Sequence, residues 1–167
     1  MVLSRRPCDT RLMELGDLPY EVRTFYDFDI EDIIDIVASE RGRPYAGEDI
    51  TKALSPGPPG GHFAYVTVQD ITDRLIGWLK AQPEGDSTAS PESLVVNITV
   101  VPDLRRKGVG TAMLNHLIEE IRAIGVQDLR AQVRPDEESA IAFLSARGFE
   151  VDSSSGPEFL TFVRHLA

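Results

Sequence analysis

The chain has 167 residues, 42% hydrophobic and 26% charged, which suits one globular domain around one core rather than two domains or a disordered chain. Its 17 Lys and Arg against 27 Asp and Glu leave a formal net charge of −10, which opposes non-specific binding to nucleic acid or to an anionic membrane and favours cationic partners. A lone Cys8 excludes an internal disulfide, the start MVLSRRPCDTRL has no apolar core of signal-peptide type, and no apolar run approaches the ~20 residues of a membrane helix, so a cytoplasmic protein is expected.

Residues 1–20 show no clean periodicity and read as an N-terminal extension, leaving 21–167 as the expected domain. β-Branched and aromatic residues at 22–26 predict a first strand. Asp29 is expected to cap the helix that follows, with Glu31 and Asp32 in its first turn and Ile30, Ile33, Ile34 and Val37 along one face. Gly42 and Pro44 stop it, and 47–54 predicts a second short helix. The stretches SPGPPGG at 55–61 and QPEGDSTASPES at 82–93 concentrate Pro, Gly and Ser and read as loops within one domain.

Residues 62–68 and 74–81 predict an antiparallel hairpin, and 94–101 a buried strand. The clearest helical stripe is Leu114, Leu117, Ile118 and Ile121, predicting a helix over 109–124 that Gly125 ends. A strand at 129–133 precedes a helix that Asp136 is expected to cap, with Ala140, Phe143 and Leu144 apolar and Gly148 as its stop. Residues 149–151 and 159–163 close the chain as strands. Hairpins favour antiparallel neighbours and the strand–helix alternation of the second half favours parallel ones, so a mixed, mostly antiparallel sheet flanked by helices is expected, an α/β fold.

The chemistry concentrates between 100 and 111. Gly108 and Gly110 let backbone approach a ligand closely, the free N–H groups of a helix start point outward there, and the helix dipole adds positive charge. Arg105, Arg106 and Lys107 form the one run of three cations in this acidic chain. An anion site is therefore expected. Met113 stands where a dinucleotide fingerprint needs its third glycine, and no Gly-Lys pair exists for a nucleotide-hydrolysing loop.

Arg105, Gly108 and Gly110, preceded by the hydrophobic-x-Pro strand end at Val100 and Pro102, resemble the Arg/Gln-x-x-Gly-x-Gly/Ala diphosphate-binding motif of the GNAT superfamily of N-acetyltransferases. The segment from Ala140 to Phe149 resembles that family's second motif, which ends in Gly-Phe. The resemblance implies the GNAT fold and an acetyl-CoA site. It assigns the diphosphate to Arg105, Arg106, Lys107, Gly108, Val109, Gly110 and Thr111. It also implies two strands splayed by a bulge, with Ile98, Val100 and Val101 bordering the gap and a backbone N–H near Val100 holding the thioester oxygen. Homodimers are frequent among such proteins, so a dimer is an expectation by analogy.

The same resemblance exposes departures. The family's Tyr acid falls on Leu144, a frequent cofactor-contacting Asn falls on Glu137, and a Glu base used by some relatives falls on Gln132. Candidates for the missing groups are Tyr65, Glu92 and Asn97, with Tyr45 and His62 behind them. His62, His116 and His165 lack carboxylates or thiolates at ligand spacing, so no metal site is expected, and His116 is placed on the solvent side of its helix. The run of acids at Asp27, Asp29, Glu31, Asp32 and Asp35 reads as a solvated helix start, because Asp32 stands where a calcium loop needs its glycine. The expected activity is transfer of acetyl from acetyl-CoA to a primary, cationic amine of a small molecule or protein, by direct attack in a ternary complex. The alternative is a catalytically weakened acyl-CoA-binding or regulatory module.

Overall fold

The computed structural model describes residues 19–41, 63–70, 72–83, 92–153 and 155–166, with side chains 37–41 excepted. Residues 1–18 of the expected extension, the short helix at 47–54, the loop at 55–61, residues 84–91 of the second expected loop, Tyr45 and His62 lie outside the described residues; Tyr20, expected in the extension, instead opens the first strand, paired with Gln69.

Seven strands form one sheet in the order β1-β2-β3-β4-β5-β7-β6: β1 Tyr20–Thr24, β2 Phe63–Gln69, β3 Leu75–Pro83, β4 Ser93–Val100, β5 Asp128–Val133, β6 Glu150–Val151 and β7 Leu160–His165. The helices are α1 Ile30–Arg41, α2 Val109–Arg122 and α3 Glu138–Ala146. Every neighbouring pair is antiparallel except β4 and β5, which run parallel and are joined through α2. The sheet is thus mixed and mostly antiparallel, as the hairpin reading expects. The second strand–helix–strand unit does not give a parallel pair, because β7 inserts between β5 and β6.

Several boundaries differ from the sequence reading. β1 lies two residues earlier than expected, and Asp29 does not cap α1. A single 3-10 turn, Asp27–Asp29, precedes the helix, and the Asp29 carboxylate, 3% exposed, turns back to accept the Tyr26 N–H at 2.9 Å and both Arg23 nitrogens at 2.8 Å. A bidentate guanidinium outcompetes helix amides for a buried carboxylate. Among the described side chains of α1, Ile33 and Ile36 are buried, with Ile30 and Ile34 packed against the core; the Val37 side chain lies outside the described ones. The last helix starts at Glu138 with Glu137 rather than Asp136 at its N-cap; Glu137 Oε2 accepts the Arg134 N–H at 3.3 Å, so this carboxylate folds back on the loop before the helix and makes no cap hydrogen bond. Helix α2 ends at Arg122, two residues early, and the chain leaves it through Gly125 at φ +83°.

Helix α2 lies against the sheet through Met113, Leu114, Leu117 and Ile121, all fully buried, and gives the core its centre. The sheet face it covers includes Gly77, whose Cβ position would fall 2.9 Å from Met113 and 3.3 Å from Val109. Side chains alternate along a strand, so Trp78 and Lys80 face the other way, across β4 from Thr99 and Asn97. Burial lowers the Lys80 pKa. The folded state therefore disfavours the charged amine, and this penalty fades as pH climbs through the window just below the free-lysine value of about 10.4. Lys80→Met is expected to raise the melting temperature at pH 7 and to lose that advantage toward pH 10.5, read by thermal melts across that range.

Candidate active site

At the end of β4, Val101 leaves the sheet with its N–H on Ile76 O at 2.9 Å and its carbonyl accepting from Leu104. A 3-10 turn, Pro102–Leu104, follows, anchored by buried Leu104 and by Asp103, which Arg74 grips at 3.0 and 3.1 Å. That hydrogen bond holds the Asp103 carboxyl below its usual range. The next residues turn sharply, Arg106 at φ +64° and Gly108 at φ +86°, and α2 begins with Gly108 as its N-cap and without a side-chain cap. There is also no acidic residue in its first turn. The first amides of α2 thus lack the usual side-chain acceptor, beside three exposed cationic residues. Arg105 Nε also donates to Val100 O at 3.2 Å, tying the cationic loop to the strand end.

Gly110 has a separate reason to lack a side chain. Its Cβ would lie 3.2 Å from the ring of Phe143 on α3, which closes over the start of α2, and 3.7 Å from Val100. Arg147 in turn stacks on Phe143, 5.7 Å from its centroid. Position 143 thus packs on the glycine motif, a role its place in an apolar stripe did not distinguish from core.

β4 and β5 pair only at Ser93↔Asp128, Leu94↔Leu129 and Val95↔Arg130. Beyond Val95 the strands diverge, and the edge of β4 from Val96 to Val100 faces a wedge that opens toward the glycine loop. The expected bulge is not what opens it. The β3–β4 register runs unbroken from Gly77↔Val100 to Pro83↔Leu94, and the irregularity lies instead between Thr67 and Val68 on β2. Divergence of a parallel pair is sufficient here, because β5 is held on its other edge by β7. Ile98 and Val100 are half-buried along the wedge; Val101, Val109 and Gly110 are buried, Thr111 is half-buried, and Arg105, Arg106, Lys107 and Gly108 are exposed.

The candidates for proton transfer fall in three places. Asn97 is exposed on β4 within the wedge. Glu92 lies at the closed end, its carbonyl accepting from Gln127 and Asp128 amides, about 26 Å of strand from Val100. Tyr65 is 3% exposed under α2, two strands and roughly 10 Å from β4, and its hydroxyl donates to Glu120 Oε2. Burial and the Glu120 carboxylate push its pKa above the usual tyrosine range. His116 sits edge-on to Tyr65 at 4.7 Å with Nε2 3.5 Å from Glu120, so it is half-buried rather than on the solvent side. This cluster fastens α2 to β2. Tyr65→Phe is expected to lower stability by about 1 kcal/mol, one hydrogen bond to a partly exposed carboxylate, while turnover stays within twofold, read by chemical denaturation and thiol release.

A family model described as the acetyltransferase (GNAT) family matches residues 29–149. The chain belongs to that family. Its curated relatives include the ribosomal protein bS18-alanine N-acetyltransferase of Escherichia coli K12, 43% identical over 58 residues, 35% of this chain and 39% of the relative. The mycothiol acetyltransferase of a Parafrankia species is 31% identical over 125 residues, 73% of this chain and 36% of the relative. The matches thus span well under half the length of these relatives. Among solved structures, the ribosomal-protein-S18-alanine N-acetyltransferase of Escherichia coli superposes with a TM-score of 0.71 at 20% identity, over 89% of this chain and 95% of that one. A GNAT superfamily phosphinothricin acetyltransferase from Sinorhizobium meliloti, crystallised in complex with acetyl-CoA, gives 0.74 at 21% identity over 89% of both chains. The fold of this chain is the GNAT fold.

Within that family frame the three departing positions have physical accounts. Leu144 is 5% exposed, a core side chain of α3 with no proton to give. Glu137 is engaged by Arg134 at 3.7 Å and by the Arg134 amide. Gln132 is exposed near the open end of β5 and lines a pocket with Gly156, Pro157, Glu158, Phe159 and Thr161, from the turn between β6 and β7. Nothing local in the sequence of that turn, one carboxylate among Ser, Gly and Pro, distinguishes it from a solvated loop. No helix among the described residues is long and apolar enough to cross a membrane.

Proposed function

We propose that this chain is an acetyl-CoA-dependent N-acetyltransferase of the cytoplasm acting on a primary, cationic amine through direct attack in a ternary complex. The observation that carries this reading is the junction of a diverging β4–β5 pair with an uncapped helix start reached through left-handed Gly108. Ligands of open α/β sheets sit beyond the carboxyl ends of parallel strands, and this junction lies there. The amides from Gly108 to Thr111, with Arg105, Arg106 and Lys107 beside them, suit a diphosphate. The free edge of β4 at Ile98 and Val100 suits an extended amide-bearing arm that pairs as a strand would, and an amide there suits the oxygen of the thioester. The domain that does this is residues 21–167, together with Tyr20, which opens β1. The net charge of −10 supports a cationic acceptor such as a polyamine, an aminoglycoside-like amine or the amino group of a basic protein.

Calorimetric titration with acetyl-CoA and with CoA tests the reading, followed by thiol release with a panel of primary amines. One saturable site per chain, not competed by ATP or NAD at low concentration, is expected, with thiol release by at least one amine. Binding without release by any amine favours the weakened acyl-CoA-binding module, for which the core position of Leu144 speaks. No binding at millimolar ligand overturns both.

A further inference from the structure

The wedge needs a group that takes a proton from an alkylammonium before it attacks. At the open end of β5 the polar side chain is Gln132, whose amide takes no proton at neutral pH. A carboxylate nevertheless reaches the same place from another element. Gln132 pairs with Thr161 across β5 and β7, so the two share a face of the sheet, the face of Trp78 and Lys80 away from α2. The open pocket on that face is bordered by the turn from Gly156 to Phe159, and exposed Glu158 is the carboxylate among its lining residues. Beside it Phe159 is an exposed ring, 44% accessible.

The turn is built to hold its tip still. The Gly156 N–H donates to Phe159 O at 3.0 Å, closing four residues around Pro157. At its base Ser155 Oγ donates to Asp152 O at 2.8 Å and accepts the Thr161 N–H at 2.9 Å, while the Asp152 N–H donates to Thr161 O at 2.7 Å. Asp152 itself is engaged with Arg130 at 3.6 Å. A fixed turn that sets a carboxylate and an aromatic face beside a polar amide, at the open end of β5, has the chemistry to receive an ammonium group.

From this we infer that Glu158 is the general base of the acetyl transfer, presented by the β6–β7 turn instead of by β5, with Phe159 and Gln132 holding the acceptor amine. This rests on the acetyl-transfer reading above. The Glu158 carboxylate takes one proton from the acceptor's ammonium, and the freed lone pair forms the N–C bond to the acetyl carbon. The C–S bond then breaks, the thiolate takes the second proton shed by the nitrogen, and Glu158 returns its proton to water. The acceptor class that fits is a primary amine with a compact cationic head.

The test moves the carboxylate. In the full chain, with whichever of a polyamine, an aminoglycoside and a free-N-terminus peptide the wild type acetylates, Glu158→Gln is expected to lower kcat/KM about a hundredfold or more, the ordinary worth of a general base. Calorimetric affinity for acetyl-CoA stays within twofold, because the turn lies across the wedge from the glycine loop. Adding Gln132→Glu to that variant is expected to restore at least a tenth of the lost rate, since the two side chains line one pocket. Unchanged kcat/KM in Glu158→Gln overturns the proposal and leaves the acetyl-transfer reading standing. A loss that Gln132→Glu does not restore assigns Glu158 to the structure of the turn and overturns its catalytic role. A wild-type chain that binds acetyl-CoA yet acetylates none of the three amines overturns the enzymatic reading itself and the base with it.

Discussion

Gly108→Val is expected to lower affinity for acetyl-CoA by about a hundredfold or more while Gly108→Asn stays within about tenfold of wild type. The position sits at φ +86°, and among the described residues its Cβ would meet only the Tyr20 hydroxyl, at 3.7 Å. What a side chain must satisfy is therefore conformation and not volume. A β-branched residue in the left-handed region costs about 1–2 kcal/mol, whereas Asn visits that region readily. Valine would relieve the strain by rotating the loop, which turns the amides of residues 108–111 away from their common focus. Hydrogen bonds to a charged group contribute about 1.5–3 kcal/mol each, so losing the alignment of two suffices for the predicted change. Titration calorimetry on both variants, with thermal melts to confirm folding, decides the matter. Equal loss in Val and Asn would show that the left-handed turn is not what binds.

Gly77→Val is expected to destabilise the fold by about 3 kcal/mol, at the upper end of overpacking costs, and to lower the melting temperature by roughly 10 °C. Its Cβ would stand 2.9 Å from the Met113 methyl, 3.2 Å from the Thr99 carbonyl oxygen and 3.3 Å from Val109. The methionine tip can move; the carbonyl belongs to β4 and cannot. Val109 is the first residue of α2, so relief by lifting the helix disturbs the glycine loop as well. Weaker acetyl-CoA binding should accompany the lower melting point. A variant that melts like wild type would mean that α2 has slack over the sheet.

These two glycines show what was legible in the sequence. Gly108 announced itself because cations, a preceding strand and the best helical stripe in the chain surround it. Gly77 sits in an ordinary strand, and its importance comes from the approach of α2, a contact made across more than thirty residues of chain. The same division holds elsewhere. Local signals found the helix over Leu114, Leu117 and Ile121 and its glycine stop. The insertion of β7 between β5 and β6 is a non-local pairing that no periodicity encodes. Spacing alone makes Asp29 a cap, because its partner, Arg23, lies on the preceding strand. The mismatch at Leu144, Gln132 and Glu137 was visible as departures from a motif, but only the fold brings Glu158 beside Gln132.

The inserted strand also makes β5 depend on residues 160–165 for its second edge. β1 to β4 with α2 form by pairing neighbours in sequence, apart from the excursion through α1, whereas β5 receives its second edge only when residues 160–165 arrive. Until then β5 presents a row of open amides and carbonyls, the kind of edge that recruits foreign strands. Without residues 160–165, β5 would keep that edge open. Docking of the last strand removes that hazard and, in the same motion, swings the turn bearing Glu158 into place. Covering the open edge of β5 and fixing the base of the β6–β7 turn are one event.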